Sequence, residues 1–355
     1  MTAIPSITLC IINYNGASHL RRALPAVSKQ PWPFAEILLI DDASDDDSLA
    51  TAKALCPTIR IIQLPRNIGP GGARNAGFAA ARHDLILFQD NDIQLETATA
   101  ASLMARLQTS PEALVVAPRV VYANDPDTVQ FDSADCHFLG LMATRNADTA
   151  VDDLDEVPAT TTSLVTACFL INRAQWHGAA LFDESLGFNL EDHDFGVRAV
   201  LSGHALWIEP KARVNHGSGT PGLSYRPGST PSTKRLYYLT LNRWIVIKKC
   251  YSLRTVILLS PALALFELMQ FSWLASQGNA RVWIRACRAY MRRRRQLCEA
   301  RAVAQRGRKV PDGAILREAP LPMTRHTSDS FVGRYLAPGA DIFLRAYWRL
   351  IRRLV

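Results

Sequence analysis

With 355 residues the chain is long enough for one large domain or two ordinary ones, and its 48% hydrophobic content can fill a core, which excludes a disordered chain. The formal charge of +8, with a pI of about 9.3, is unevenly spread: acids crowd the first half and arginines the last third, which points to an anionic surface as partner, either membrane or nucleic acid. Cysteines 10, 56, 136, 168, 250, 287 and 298 are scattered, odd in number and without a Cys-x-x-Cys pair, which argues against a disulfide frame or zinc site and for a reducing compartment. Met1 to Asn13 lacks the basic, apolar and cleavage regions of a signal peptide, and no internal repeat is visible.

In chain order, the apolar run Ile7–Ile12 predicts a buried strand ending at Asn13-Tyr14-Asn15-Gly16. A helix is expected over about 18–29, a strand over 36–40 ending in Asp41-Asp42, a helix over 48–56, a strand over 59–64 and a helix over 70–82. The run Leu85-Ile86-Leu87-Phe88-Gln89-Asp90-Asn91-Asp92 is a fourth buried strand with two carboxylates at its end. Strands alternating with helices form right-handed βαβ units and a mostly parallel sheet. Alternate residues of a strand share a face, so Asp90 and Asp92 point the same way at the carboxyl edge, where open α/β sheets bind ligands. Hard oxygen ligands there suit Mg²⁺ or Mn²⁺; a plain helix-capping turn is the simpler alternative. Asn13 and Asn15, Asp41 and Asp42, and Asp90 and Asp92 end three strands on this one edge, where they can pair with a base or ribose. The glycine-rich loop from Arg66 to Asn75 permits close backbone approach ahead of a helix N-terminus, and Arg74 offers a guanidinium fork to a diphosphate.

Ile11-Ile12-Asn13-Tyr14-Asn15, the run Ile40 to Ser48, the Asn67-to-Gly77 segment and Asp90-Asn91-Asp92 together resemble the nucleotide-sugar half of family-2 inverting glycosyltransferases of the GT-A type, rhamnosyltransferase-like, over roughly residues 5 to 220. The resemblance implies a GT-A fold, a Rossmann-like mixed sheet flanked by helices, and a nucleoside-diphosphate sugar as donor. It implies that Asp41 contacts the base, that Asn67, Gly69 and Arg74 lie near base and phosphates, and that Asp92 with Asp90 holds the metal. The run Glu191-Asp192-His193-Asp194, at the expected start of a helix reaching about Ser202, resembles the family's Glu-Asp motif, which makes Asp192 the general base; read alone it is a well-capped helix. His216, after the strand at 205–208, would complete the metal shell or touch the phosphates. Leu164–Ile171 is expected as a strand passing under the acceptor site, and residues 124–156 as an acidic variable loop. The signature Gln-x-x-Arg-Trp of processive synthases is not met, since Thr240 stands at the Gln position, which favours one or a few additions over long-chain synthesis.

The tail reads as helical. Thr255 to Ala275 is apolar but interrupted by Pro261, Glu267 and Gln270, and its clean core, 256–266, is short for a span. Arg281 to Arg301 is basic. At the end Ile342, Phe343, Ala346, Tyr347, Leu350, Ile351 and Leu354 share one helical face, with Arg345, Arg349, Arg352 and Arg353 on the other, a pattern suited to a membrane interface or to packing on the catalytic domain or a second subunit. The expected organisation is a catalytic domain over 1–235, divided into a nucleotide-sugar half at 1–110 and an acceptor half at 111–235. An apolar and basic membrane-associating helical region at 236–306, a linker at 307–340 and a basic amphipathic helix at 341–355 follow. The expected activity is metal-dependent transfer of a sugar with inversion to a lipid-linked or polysaccharide acceptor, at the cytoplasmic face of the inner membrane. Expected partners are the nucleotide-sugar donor, a glycan or lipid-linked acceptor, the membrane surface and a second copy of the chain in a homo-oligomer; nucleic acid is disfavoured because no recognised module is present. The competing readings are a nucleotidyltransferase, which would want a basic triphosphate loop that 13–19 does not supply, and a non-catalytic membrane-peripheral nucleotide-sugar-binding protein.

Overall fold

The computed structural model describes residues 5–178, 180–217, 231–322, 330 and 332–355. The chain forms two compact units: one of residues 1–134, 144–199 and 204–219, the other of 135–143, 200–203 and 220–355.

The first unit is built on a mixed sheet. Strands β1 (Ile7–Asn13), β2 (Glu36–Asp41), β3 (Arg60–Gln63) and β4 (Leu85–Asp90) are parallel, in spatial order β4-β1-β2-β3. They alternate with helices α1 (Ala17–Ser28), α2 (Ser48–Leu55) and α3 (Gly69–Ala80). Every residue of β1 is buried, as a strand covered on both faces requires. Its Leu9 and Ile11 join Leu20 and Leu24 of α1, Leu39 of β2 and Leu87 of β4 in the main core.

The sheet continues through β5 (Ile93–Leu95) and, after α4 (Thr99–Thr109), through β6 (Ala113–Tyr122), β7 (Asp125–Phe131) and β10 (Thr149–Ala150); β8 (Ala134–His137) and β9 (Met142–Thr144), between β7 and β10 in the chain, belong to a separate small sheet. β11 (Ala159–Thr161), β12 (Cys168–Asn172) and β13 (Ala205–His216) complete the set, with α5 (Glu191–Leu201) before the last. β12 runs antiparallel to both β4 and β6, which makes the sheet mixed. The strand expected at 164–171 thus begins at Cys168. The stretch 124–156, expected as a loop, is largely short strands. Val129 and Phe131 alternate with polar residues and are buried, so β7 has an inward face that its acidic composition hid.

The second unit is mainly helical: α6 (Thr233–Cys250), α7 (Leu253–Ser276), α8 (Ala280–Arg292), α9 (Arg294–Arg306) and α10 (Ala337–Ile351). Ser232 and Ser252 cap α6 and α7, each side chain accepting a backbone N–H from Arg235 and Thr255. α7 runs unbroken for 24 residues through Pro261 and is long and apolar enough to cross a membrane by length and composition. Glu267 is tolerated within it because the indole N–H groups of Trp244 and Trp283 and the Arg243 guanidinium all bind its carboxylate. Part of the stretch expected as a linker, 307–340, is ordered structure instead. It holds a turn at Asp312–Ala314 and strand β14 (Leu316–Arg317), which pairs with β8, and Ile315 and Leu316 are buried. Residues 323–329 and 331 of that stretch lie outside the described residues. α10 begins at Ala337, earlier than 341, and its inward face is Leu344, Trp348 and Ile351. Ile342, Phe343 and Leu350 of the expected apolar stripe are exposed.

Candidate active site

The strand ends of the parallel sheet assemble the site. Register places Asn13 beside Asp41 and Ile12 beside Asp90. Asn13 is wholly buried; its Nδ2 donates to Asp41 Oδ1 at 2.8 Å and its Oδ1 accepts from Asn91 Nδ2 at 2.8 Å. Asp41, equally buried, also accepts from the Ser44 hydroxyl at 2.6 Å and the Ser44 N–H at 3.0 Å. Asn15, in the left-handed region at φ 48°, accepts from the Asp45 N–H at 2.9 Å. A Cβ on Gly16 would lie 2.0 Å from Asn91 Nδ2, so this crossing of three loops needs glycine. Asn13 and Asp41 therefore bind each other and shape the loops.

Asp42, one residue on and expected with Asp41 to face a base or ribose, is turned to the glycine-rich loop instead. It is buried, and its two oxygens accept the N–H groups of Ile68 at 2.8 Å and Gly69 at 2.9 Å. Burial raises its pKa, against the pull of those two hydrogen bonds. It ties the glycine-rich loop to the end of β2 and uses up two of the N–H groups at the start of α3. Gly69 adopts φ +82°, and a Cβ there would stand 2.7 Å from the Gly187 carbonyl oxygen. Asn67 is exposed beside them.

Arg74 is at the centre of the charge pattern. It is 2% exposed, and its Nη2 donates to Asp90 Oδ1 at 2.5 Å and to the Thr166 carbonyl at 2.9 Å. Its guanidinium lies 5.8 Å from the centre of the Phe182 ring. Arg74 is thus packed under the site, bound to Asp90, and does not extend into solvent. Burial raises the pKa of Asp90 to about 6 in spite of Arg74.

Asp192 opens α5 and is half-buried. Its Oδ1 accepts the His193 N–H at 2.8 Å. Arg74 binds Asp90 by a hydrogen bond, and its charge also acts on Asp192, which brings together under one cation carboxylates 102 positions apart in the chain. Burial raises the pKa of Asp192. Its neighbour Glu191 is buried with Oε2 unpartnered, and burial followed by the Asp192 charge lifts its pKa to about 8.

Asp92 is brought to His216 by β-pairing: His216 is in register with Ile93, and the Gly217 N–H donates to the Asp92 carbonyl at 2.9 Å. His216 Nε2 stands 3.4 Å from Asp92 Oδ2, and its Nδ1 is 2.6 Å from Gln130 Oε1. Burial alone would lower the His216 pKa, but the hydrogen bond to Asp92 and the charges of Asp92 and Asp90 outweigh it and raise it. A carboxylate facing an imidazole, itself oriented by a second partner, is a donor set that fits Mn²⁺ or Mg²⁺. Among the described residues no group of three His, Cys, Asp or Glu side chains has metal-holding geometry, so the expected trio of Asp90, Asp92 and His216 is not assembled as such; Asp90 is turned to Arg74.

Residues 8–174 match the model of glycosyl transferase family 2. This stretch is a family-2 glycosyltransferase domain. Among curated relatives, the chain is 40% identical over 90 residues to a succinoglycan biosynthesis protein, ExoO, of Rhizobium meliloti, a match covering 25% of this chain and 26% of that protein. It is 24% identical over 229 residues to the N-acetylglucosaminyl-diphospho-decaprenol L-rhamnosyltransferase of Mycobacterium tuberculosis, covering 58% of this chain and 74% of the relative. The chain thus spans about a quarter of the succinoglycan protein's length. In fold it is similar to S. aureus TarS 1-349 in complex with UDP, with a TM-score of 0.51 at 18% identity over 99% of this chain and 92% of the other. The GT-A fold expected for the domain is the fold observed.

Proposed function

We propose that this glycosyltransferase moves a sugar from a nucleoside-diphosphate sugar to an acceptor hydroxyl with inversion, by direct displacement. The observation that carries the reading is that one buried cation, Arg74, serves both Asp90, through a hydrogen bond, and Asp192, through its charge, at the carboxyl edge of the sheet. Asp192 is the general base. A carboxylate whose pKa is raised by burial holds a proton more firmly than an ordinary aspartate, which favours taking it from an attacking alcohol. No covalent intermediate on the protein is required.

Asn15 and Asn67, with Asp41 behind them, form the base and ribose side of the donor pocket, and the glycine-rich loop, held in place by Asp42, borders the diphosphate. Arg74 orients Asp90 and keeps net negative charge in the pocket low. Asp92 and His216 would hold a divalent ion, which supplies positive charge to the leaving diphosphate when bound. The likeness to an enzyme named for a diphospho-decaprenol substrate, together with the apolar α7 and the arginines of α8, supports a lipid-linked acceptor and peripheral attachment at the cytoplasmic face of the inner membrane.

The test is a panel of UDP-, GDP- and dTDP-sugars with Mn²⁺. A donor is expected to raise the melting temperature of the purified chain and to release nucleoside diphosphate in the presence of acceptor. Release of pyrophosphate would instead mark a nucleotidyltransferase, and no stabilisation by any donor would remove the reading.

A further inference from the structure

The helical unit contains a cavity of about 420 Å³, within the range of about 300–1,000 Å³ usual for small-molecule sites. It lies among α6, α7, α8 and α9 and uses none of the residues assigned to the transferase. Its floor is Glu267. The Trp244 indole N–H donates to Oε1 at 2.6 Å, the Trp283 indole N–H donates to Oε2 at 3.1 Å, and Arg243 neutralises the charge. With that carboxylate satisfied, the remaining interior wall is apolar: Ile247, Val256, Leu263 and the rings of Trp283 and Tyr290. Such a lining favours hydrocarbon over water.

The exposed end of the lining has a different character. Leu253 and Met291 are 67% and 59% exposed, an apolar rim open to solvent. Beside them stand the half-buried Lys248 and Arg301. Arg301 is oriented by donating to the Lys248 and Tyr251 carbonyls, each at 2.6 Å. The two helices supplying this wall are strongly basic: Arg281, Arg285, Arg288, Arg292, Arg294 and Arg295 are exposed, and Glu299 is the sole acid between 280 and 306. An apolar interior wall, an apolar rim and a cationic border complement a molecule with one long apolar chain and an anionic head.

We propose that this cavity binds a phosphate-headed lipid, its hydrocarbon chain inserted against Trp244 and Trp283 and its phosphate beside Lys248 and Arg301. Phosphate suits a lysine and a guanidinium at one border, and the basic faces of α8 and α9 would lie along the anionic surface from which the lipid comes. The site goes beyond the transferase reading. Because its ligand is measured with neither sugar donor nor acceptor present, either idea can fail without the other.

The experiment titrates the full chain with dodecyl phosphate below its micelle concentration and follows tryptophan fluorescence, with dodecanol and inorganic phosphate as separate arms. Dodecyl phosphate should bind saturably, about tenfold more tightly than dodecanol, as expected for charge-assisted contacts to its head. Inorganic phosphate should leave the fluorescence unchanged. Lys248→Glu should abolish the preference for the phosphate head, and Cys287→Phe, which fills the cavity, should weaken both chain-bearing ligands. A chain-brominated analogue should quench the fluorescence of the unaltered chain, which reads contact without any substitution. Absence of saturable binding, equal affinity for dodecanol, a response to inorganic phosphate alone, or no quenching by the brominated chain would each overturn the proposal.

Discussion

Gly69→Ala probes the hinge between sheet edge and glycine loop. At φ +82° an alanine pays about 1–2 kcal/mol for the left-handed backbone. Its methyl carbon would sit 2.7 Å from the Gly187 carbonyl oxygen, closer than a real contact permits, so one backbone must move. Overpacking of that kind costs about 1–3 kcal/mol. The smaller freedom of alanine in the unfolded chain returns about 0.4–1 kcal/mol. The net expectation is a loss of about 1–5 kcal/mol, read from the urea midpoint and slope. Gly339→Ala is the internal control: it lies in helix α10 with nothing within 4 Å of the new carbon, and should gain about 0.5–1 kcal/mol. Because Gly69 also receives the Asp42 carboxylate on its N–H, the same variant should raise the KM for donor more than it changes kcat. If Gly69→Ala unfolds at the wild-type midpoint, the close approach to Gly187 is not a feature of the folded protein.

Glu191 gives a pH signature. Its pKa is about 8 in the folded chain against an ordinary 4.5, so the folded state holds the proton more tightly and this contribution to stability is complete below 4.5. It is lost progressively as pH rises to about 8, and Glu191→Gln, neutral throughout, should flatten that decline in urea midpoints; an identical decline in both proteins would assign it to another group. Arg119 and Asp132 form a buried two-point ion pair, with Nε–Oδ1 at 2.9 Å and Nη2–Oδ2 at 2.7 Å. Asp132→Ala strands the guanidinium and should cost about 3–5 kcal/mol in urea unfolding, whereas a loss under about 1 kcal/mol would mean that water reaches the pair.

The parallel half of the sheet was legible because β1, β2 and β4 are continuous apolar runs that end in amides or carboxylates, and the helices between them carry plain periodicity. The strands of 125–150 were not, since each is short and its inward residues, such as Val129 and Phe131, are embedded among acids. Asp90, Asp92, Asp192 and His216 could be named from their neighbours in the chain, but not their partners. Asp92 meets His216 because β5 pairs with β13, a register set across 123 positions. Arg74 looked like a ligand for phosphate and is instead a buried partner of Asp90, a distinction that depends on Thr166 and Phe182 packing around it. Asp41 and Asp42 were both visible at the strand end, but two adjacent aspartates give no sign of which one reaches back to the glycine loop. The polar residues of α7 left its clean apolar core short for a span, and nothing in the sequence signalled that Trp244, Trp283 and Arg243 converge on Glu267.

Single-turnover transfer by Asp192→Asn, with donor affinity measured in parallel, tests the assigned base most directly. The substitution keeps the size of the side chain and removes its ability to take a proton. The transfer rate should fall by about 10²–10⁴-fold while donor binds as tightly as to the unaltered chain. Transfer at the normal rate would show that the acceptor's proton leaves by another group and that Asp192 only starts its helix.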